Sequence, residues 1–174
     1  MSDAAFTAAA NFIWAPSNDG SRNDSAPGET FNTVLGITQM TWDGAVSRGI
    51  VTGALEDATR EQCLAIYRAE YWNALSCDSL PGGVAIVLFN DSVLTGSGHV
   101  ARLLQRVVGT PQDGVIGPAT LTAATATWHK DALIDALIKA DETYLAALRN
   151  APQFINGWDR REEACRALAH SFTV

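Results

Sequence analysis

Apolar residues recur at helical spacing along most of this chain. The longest periodic run covers residues 130–150, where an apolar stripe faces a charged side. The stripe consists of Leu133, Leu137, Ala140, Tyr144 and Leu148. A spacing of three or four residues places such side chains on one face of an α-helix, so this run predicts an amphipathic helix.

Other segments also have helical character: residues 4–14, 41–50, 59–75, 80–94, 98–109 and 157–172. We expect Thr41 to cap the second of them. Thr59, followed three residues later by Gln62, forms a capping-box pattern at the start of the third. The segment 80–94 is apolar on nearly every side, which predicts a helix at the centre of the fold.

Two neighbouring stretches near the amino end break the helical pattern. Residues 15–29 are dense in Asn, Asp, Ser, Gly and Pro, a composition that excludes a regular element. Residues 30–38 (TFNTVLGIT) then predict a short strand or hairpin arm. Because strands do not alternate with helices, we predict a mainly α fold with a small β-hairpin rather than a parallel sheet.

Composition and charge narrow the possible functions. The chain has 174 residues, of which 47% are hydrophobic and 18% charged, as in soluble globular proteins. We place a boundary near residues 95–98, dividing a region 1–95 from a region 96–174 within one compact unit. The net charge of −7 argues against nucleic-acid binding, which requires a basic face.

Targeting and metal signals are missing from the sequence. No apolar run approaches the ~20 residues of a membrane span, and no basic segment precedes the first apolar stretch. We therefore expect synthesis in the cytoplasm without a signal peptide, and no membrane insertion. Cys63, Cys77 and Cys165 are predicted to be buried thiols. The scattered histidines lack ligand spacing, so no metal and no cofactor are expected.

Residues 109–120 (GTPQDGVIGPAT) carry the first specific motif. Asp113-Gly114 is a tight-turn dipeptide, and Pro118 suits the first position of a helix, where its missing N–H costs nothing. Preceded by the amphipathic run LLQRVVG, the pattern D-G-V-I-G-P-x-T resembles helical peptidoglycan-binding modules.

A longer match covers the centre of the chain. The pairs Tyr71-Trp72 and Leu80-Pro81, followed by a set of apolar and glycine positions, are similar to glycosyl hydrolase family 108. That set is Gly83, Ala85, Phe89, Val93 and Gly96, with Asn90-Asp91 near an Asp of the family pattern. GITQMTWDGAV and FINGWDRR also resemble stretches of this family.

The resemblance implies a lysozyme-like helical fold and an N-acetylmuramidase activity. Such an enzyme cuts the β-1,4 bond between N-acetylmuramic acid and N-acetylglucosamine in peptidoglycan. A phage or prophage endolysin of this kind causes bacteriolysis after release through a holin or a similar route. We expect peptidoglycan as the partner and a monomer as the working form.

Glycoside hydrolysis needs a proton donor and a second carboxylate. The family's E-G-G-Y motif is absent, and PSNDGSRND stands in its place. Alignment on TVLGIT puts Asp19 in the slot of the family's glutamate and Glu29 in the region of its second carboxylate, with Asp24 as a third, substrate-binding candidate. Spacing leaves open which carboxylate is the donor.

The remaining candidates each have a structural alternative. Thr33 matches the family's threonine and either orients a water or a carboxylate or packs within a strand. Trp42 and Trp72 either stack on sugar faces or belong to the core.

Five arginines in the last third offer contact with an anionic wall: Arg102, Arg106, Arg160, Arg161 and Arg166. Because the glutamate motif is absent, two other functions stay open. One is a non-catalytic peptidoglycan-binding or regulatory protein, and the other is a lytic transglycosylase, which needs one acid.

Overall fold

The computed structural model describes residues 2–15, 33–126, 129–148 and 151–172, with the side chains of residues 2 and 151–154 excepted. Over these residues the chain forms eight α-helices and one antiparallel pair of strands. The helices are α1 (Ser2–Ile13), α2 (Gln39–Ser47), α3 (Arg60–Tyr67), α4 (Gly82–Thr95), α5 (Ser97–Val108), α6 (Pro118–Ala126), α7 (Lys130–Ala146) and α8 (Ala151–His170). The strands are β1 (Thr33–Val34) and β2 (Ile37–Thr38). The predicted mainly α fold with a small hairpin is confirmed.

The chain divides into two compact units, residues 10–70 and residues 1–9 with 71–174. The smaller unit contains the hairpin, α2 and α3. The larger unit contains α4 to α8. Each unit has its own buried apolar residues, such as Trp42 and Ile66 in the smaller and Phe89 and Leu137 in the larger.

Helix starts in the smaller unit follow local capping chemistry. At α3, Thr59 Oγ1 accepts from Gln62 N at 3.2 Å and Gln62 Oε1 accepts from Thr59 N at 3.0 Å, which confirms the capping box. At α2 the prediction that Thr41 is the cap is wrong. Thr38 is the cap, because its Oγ1 accepts from Thr41 N at 3.2 Å and so satisfies a free donor of the first turn.

The larger unit is built around α4. Every residue from 83 to 92 on this helix is buried, and α4 packs against α5, α7 and α8. The prediction of a central apolar helix is confirmed. Gly83 allows the close approach of α8, because a Cβ at this position would collide with the Ala169 carbonyl oxygen and lie 2.7 Å from Ile134 Cδ1.

Helix α7 buries a broader face than the predicted stripe, and only part of the stripe belongs to it. Its buried residues are Leu133, Ile134, Leu137, Ile138, Asp141 and Leu145. Tyr144 and Leu148 are half-exposed. The face is broad because α7 has neighbours on several sides, namely α4, α5 and α8. A carboxylate, Asp141, therefore lies on the buried side of this helix.

The last helix begins earlier than expected. We predicted its start near residue 157, but α8 begins at Ala151, with Pro152 in its first turn, where a missing N–H is tolerated. Gly157 is an exposed interior residue of the helix. As predicted, the thiols of Cys63, Cys77 and Cys165 are buried. Among the described residues, no helix combines the length and the apolar character that a bilayer crossing requires.

Candidate functional site

The sequence places the candidate carboxylates between α1 and β1. Asp19, Asp24 and Glu29 lie outside the described residues. The described residues on either side are the end of α1, reaching Ala15, and the start of β1 at Thr33. The geometry of these two flanks is therefore the part of the candidate site that the structure defines.

The hairpin turn is held by two aromatic donors. Trp14 Nε1 and Tyr67 Oη both donate to the Leu35 carbonyl oxygen, at 3.1 and 2.8 Å. Leu35 and Gly36 have positive φ values of 52° and 79°. At Gly36 a Cβ would lie 2.6 Å from Tyr67 Oη, so a glycine is required for both the conformation and the contact.

Further contacts join the same elements of the smaller unit. The Arg60 guanidinium lies 4.5 Å from the centre of the Trp14 ring, and its Nη2 donates to Asn11 Oδ1 at 2.8 Å. Trp14 and Tyr67 also pack edge to face, with ring centres 5.9 Å apart. Trp14, which follows α1, and the hairpin turn at Leu35 thus share one scaffold with α3. This scaffold fixes both flanks of the segment that carries the candidate carboxylates.

Three predicted site residues fall within the described chain. Thr33 is the first residue of β1, is half-buried and pairs in register with Thr38. Trp42 is 1% exposed and donates from Nε1 to the Gly53 carbonyl oxygen at 3.0 Å. Its indole therefore presents no open face to a sugar in this structure.

Trp72 is also buried, and it belongs to the larger unit. Its Nε1 donates to Asp78 Oδ1 at 2.6 Å, and its ring packs edge to face against Phe6 and Phe89. It borders a cavity of about 360 Å³, whose wall also includes Leu80 and Phe172. Both tryptophans thus have the packing and hydrogen bonds of core residues.

The predicted turn motif, residues 109–120, contains a loop that the side chain of Gln105 holds in place. Buried Gln105 on α5 donates from Nε2 to Asp113 Oδ1 at 2.6 Å and to the Val115 carbonyl oxygen at 2.9 Å, and it accepts from Gly114 N at 2.9 Å. The hydrogen bond from Gln105 lowers the pKa of Asp113. Gly114 has a φ of 84°, and Pro118 opens α6 as predicted.

The predicted basic group divides into exposed and engaged arginines. Arg102, Arg106 and Arg160 are exposed. Arg161 is 9% exposed and donates from Nε to Asn90 Oδ1 at 2.8 Å. Arg166 pairs with Glu142 and Glu163, at 3.2 and 2.8 Å. The expectation that Arg161 reaches the wall is wrong, because its guanidinium is held in the interior.

The exposed pair on α5 creates a local positive field. The pKa of His99, one turn earlier on the same helix, is lowered by burial and by the charges of Arg106 and Arg102. Arg102 and Arg106 therefore form an exposed basic patch on α5 that is available to an anionic polymer, while the third exposed arginine of the predicted group, Arg160, lies on α8.

Sequence reasoning missed one group of titratable residues. Asp91, Asp141 and Glu162 are each 0% exposed and lie together in the larger unit. Burial is the largest cause of a raised pKa at all three. A raised pKa is typical of a glycosidase acid, but these carboxyl groups are sealed from a polysaccharide. Polar residues in the apolar α4, Asn90 and Asp91, were the available sequence signal.

Comparison with known proteins finds one family match in each half of the chain. Residues 17–96 match the family model Glycosyl hydrolase 108, and residues 99–163 match the model Predicted Peptidoglycan domain. Among curated proteins, no significant sequence match was found.

A solved structure, "Structure of Brucella abortus SagA", is similar over almost its whole length. The identity is 29% and the TM-score 0.87, covering 98% of this chain and 97% of that chain. The predicted lysozyme-like helical architecture agrees with this likeness. The hydrolase-family match and the peptidoglycan-domain match thus follow each other along this chain, in agreement with the resemblance predicted from its sequence.

Proposed function

We propose that this protein is an N-acetylmuramidase that cleaves the β-1,4 bond between N-acetylmuramic acid and N-acetylglucosamine in peptidoglycan. The observation that carries the proposal is the joint match to a glycosyl hydrolase family and a peptidoglycan domain in one chain. In this proposal, residues 1–95 form the catalytic region and residues 96–174 form the wall-binding region.

Asp19 and Glu29 are the carboxylates that we propose for catalysis. One donates a proton to the leaving oxygen, while the other stabilises the oxocarbenium-like transition state or activates water. Thr33 orients the water or one of the carboxylates from the start of β1. The contacts of Trp14 and Tyr67 with Leu35 support this assignment, because they anchor the chain directly before and after the segment.

Fixed ends of the segment that carries Asp19 and Glu29 favour this chemistry. A carboxyl group contributes as a general acid only when it is within hydrogen-bond reach of the bond that breaks. The entropy of a long connecting segment is reduced when both of its ends are fixed. Asp24 is proposed to contact the sugar from the same segment.

A non-catalytic peptidoglycan-binding protein is the second candidate. The absence of the E-G-G-Y motif favours it, since Asp19 is shorter than a glutamate by one methylene. A lytic transglycosylase is the third, because it requires one acid. In all three cases the proposed partner is peptidoglycan, reached after synthesis in the cytoplasm and release in the manner of a phage endolysin.

Digestion of purified sacculi tests the proposal. The wild type is compared with Glu29→Gln and Asp19→Asn, and the soluble products are analysed by mass spectrometry. We expect muropeptides with reducing N-acetylmuramic acid ends from the wild type. Loss of a catalytic carboxyl should lower the rate by about 100-fold or more, a typical contribution of general acid catalysis.

The matched control is Glu61→Gln, an exposed carboxylate in the first turn of α3. It should digest sacculi at the wild-type rate. Anhydro ends would identify a transglycosylase, and sedimentation with sacculi without products would identify a binding protein. Equal rates for the wild type and both carboxylate variants would reject Asp19 and Glu29 as the catalytic pair.

A further inference from the structure

Three carboxylates from three helices converge in the interior of the larger unit. Asp91 lies on α4, Asp141 on α7 and Glu162 on α8. One oxygen atom of each lies within 4.8 Å of the others. All three residues are 0% exposed, so bulk water does not solvate them.

Four oxygens of this trio have no hydrogen-bond partner among the described residues. They are Asp91 Oδ2, both oxygens of Asp141, and Glu162 Oε2. An ionised buried carboxylate without a partner is strongly unfavourable, so such a group takes up a proton or is satisfied by another ligand. The fully buried Asp141 is the strongest indication, because neither of its oxygens is bonded to another described residue.

The charge of the surroundings supports a cation. The nearby buried cation is Arg161, whose Nε donates to Asn90 Oδ1 at 2.8 Å. When all three carboxylates are ionised, as cation binding requires, they and this guanidinium carry a net charge of −2. Glu142, which lies near the trio, is paired with Arg166 at 3.2 Å. A divalent ion would neutralise the remaining charge.

Asn90 fixes the orientation of two of the carboxylates. Its Nδ2 donates to Asp91 Oδ1 at 3.0 Å and to Glu162 Oε1 at 3.1 Å. These bonds leave the second oxygen of each group available. An amide that orients acidic ligands in this way is a common support of metal sites.

We propose that Asp91, Asp141 and Glu162 bind a hard divalent cation, with Ca²⁺ as the best fit. Carboxylate oxygens are the ligands that such ions prefer. Two oxygens on one Ca²⁺ are separated by at most about 4.6–5.2 Å, twice the usual bond length, and the observed limit of 4.8 Å falls in this range. Mg²⁺ fits less well, because it retains several waters and shorter bonds.

The cation would stabilise the larger unit by joining α4, α7 and α8. Asp91 belongs to the hydrolase match, whereas Asp141 and Glu162 belong to the peptidoglycan-domain match. The site therefore links the two family segments within one packed core. This inference differs from the sequence expectation of no metal, and it does not depend on the proposed enzymatic activity.

Metal analysis and thermal unfolding of the full chain test this site. The protein is dialysed against EDTA, then against chelator-free buffer near pH 8, and titrated with CaCl₂, with MgCl₂ and MnCl₂ in parallel. Elemental analysis should find one calcium per chain. At a hundredfold excess over Kd we expect Tm to rise by about 5 °C or more.

Asp141→Asn removes one charge with little change in volume. We expect it to bind Ca²⁺ at least about tenfold more weakly and to lose the rise in Tm. Without metal it should be as stable as the wild type or more stable, because a buried charge has been removed. A purely structural hydrogen-bonding role would instead lower its metal-free Tm.

Asp159→Asn, an exposed acid on α8, is the matched control and should keep the full calcium response. If Asp141→Asn does not fold, Glu162→Gln is measured in its place. A wild-type protein with less than stoichiometric calcium and the same Tm in EDTA and in millimolar CaCl₂ would overturn the proposal.

Discussion

His170 links the last turn of α8 to the first half of α7. Its Nε2 lies 3.1 Å from Asp135 Oδ1 and its Nδ1 lies 3.3 Å from Asp131 Oδ1. The hydrogen bond with Asp135 is the largest cause of a raised pKa at His170. A cationic residue near a helix C-terminus also interacts favourably with the helix dipole. The protonated imidazole therefore stabilises this contact.

This arrangement predicts a pH-dependent loss of stability for His170→Gln. Because the folded pKa lies above the unfolded value, the stabilisation is complete below the unfolded pKa of about 6.5 and is lost as pH rises through the folded pKa. The Tm difference between the wild type and the variant should be largest near pH 5.5 and close to zero near pH 9. Thermal unfolding by circular dichroism across this range measures it.

His129→Gln provides the control, since His129 is exposed at the start of α7. Its Tm difference from the wild type should not follow the same pH curve. A His170→Gln difference that is independent of pH would mean that the ring packs without its charge.

The convergence of three buried acids could not be predicted from the sequence, although polar residues within the apolar α4 were a signal for one of them. Asp91, Asp141 and Glu162 are far apart in the chain and meet through helix packing, which leaves no local spacing to detect. Asp141 lies on the buried face of α7 but was not part of the predicted stripe, which contained no charged residue. The thiols Cys63 and Cys165 were predicted correctly, since burial is the ordinary state of free cysteine.

At the scale of elements, the approach of α4 and α8 depends on Gly83. We predict that Gly83→Ala destabilises the protein, although alanine favours a helix by about 1 kcal/mol. The new methyl would meet the Ala169 carbonyl and the Ile134 side chain, and overpacking of this kind costs about 1–3 kcal/mol or more. Tm should fall by at least about 2 °C, as measured by differential scanning calorimetry.

Gly157→Ala on α8 is also a glycine-to-alanine substitution, but we expect it to raise the stability. Apart from its chain neighbours and the backbone of its own helix, no described atom lies within 4 Å of a Cβ at this exposed helical position. The variant should therefore be stabilised by up to about 1 kcal/mol. If Gly83→Ala and Gly157→Ala shift Tm in the same direction, the close contact between α4 and α8 does not determine the stability change.

Elements with strong local chemistry were predicted well. The capping box of Thr59, the all-apolar α4 and the Pro118 start of α6 each depend on residues close in sequence. The start of α8 was placed too late, because Gly157 was interpreted as a helix boundary. An exposed glycine is tolerated inside a long helix whose other residues pack, so tertiary contacts outweighed its low propensity.

At the scale of the whole molecule, an acidic protein is proposed to act on an anionic wall. The net charge is −7, which by itself opposes association. Charges beyond about 10 Å are largely screened at moderate salt, so a local patch decides the contact. Arg102 and Arg106 on α5 form that patch within the segment matched by the peptidoglycan domain.

We therefore predict that Arg102→Gln combined with Arg106→Gln weakens binding to purified sacculi by roughly 30-fold, since each basic residue near an anionic surface contributes about 1 kcal/mol. The control pair, Arg48→Gln with Lys139→Gln, changes the net charge by the same amount at other exposed sites. Co-sedimentation with sacculi at low and high salt measures both. Because screening suppresses surface charge effects, the difference between the pairs should shrink at high salt. Equal weakening by both pairs would show that net charge, and not the α5 patch, governs attachment to the wall.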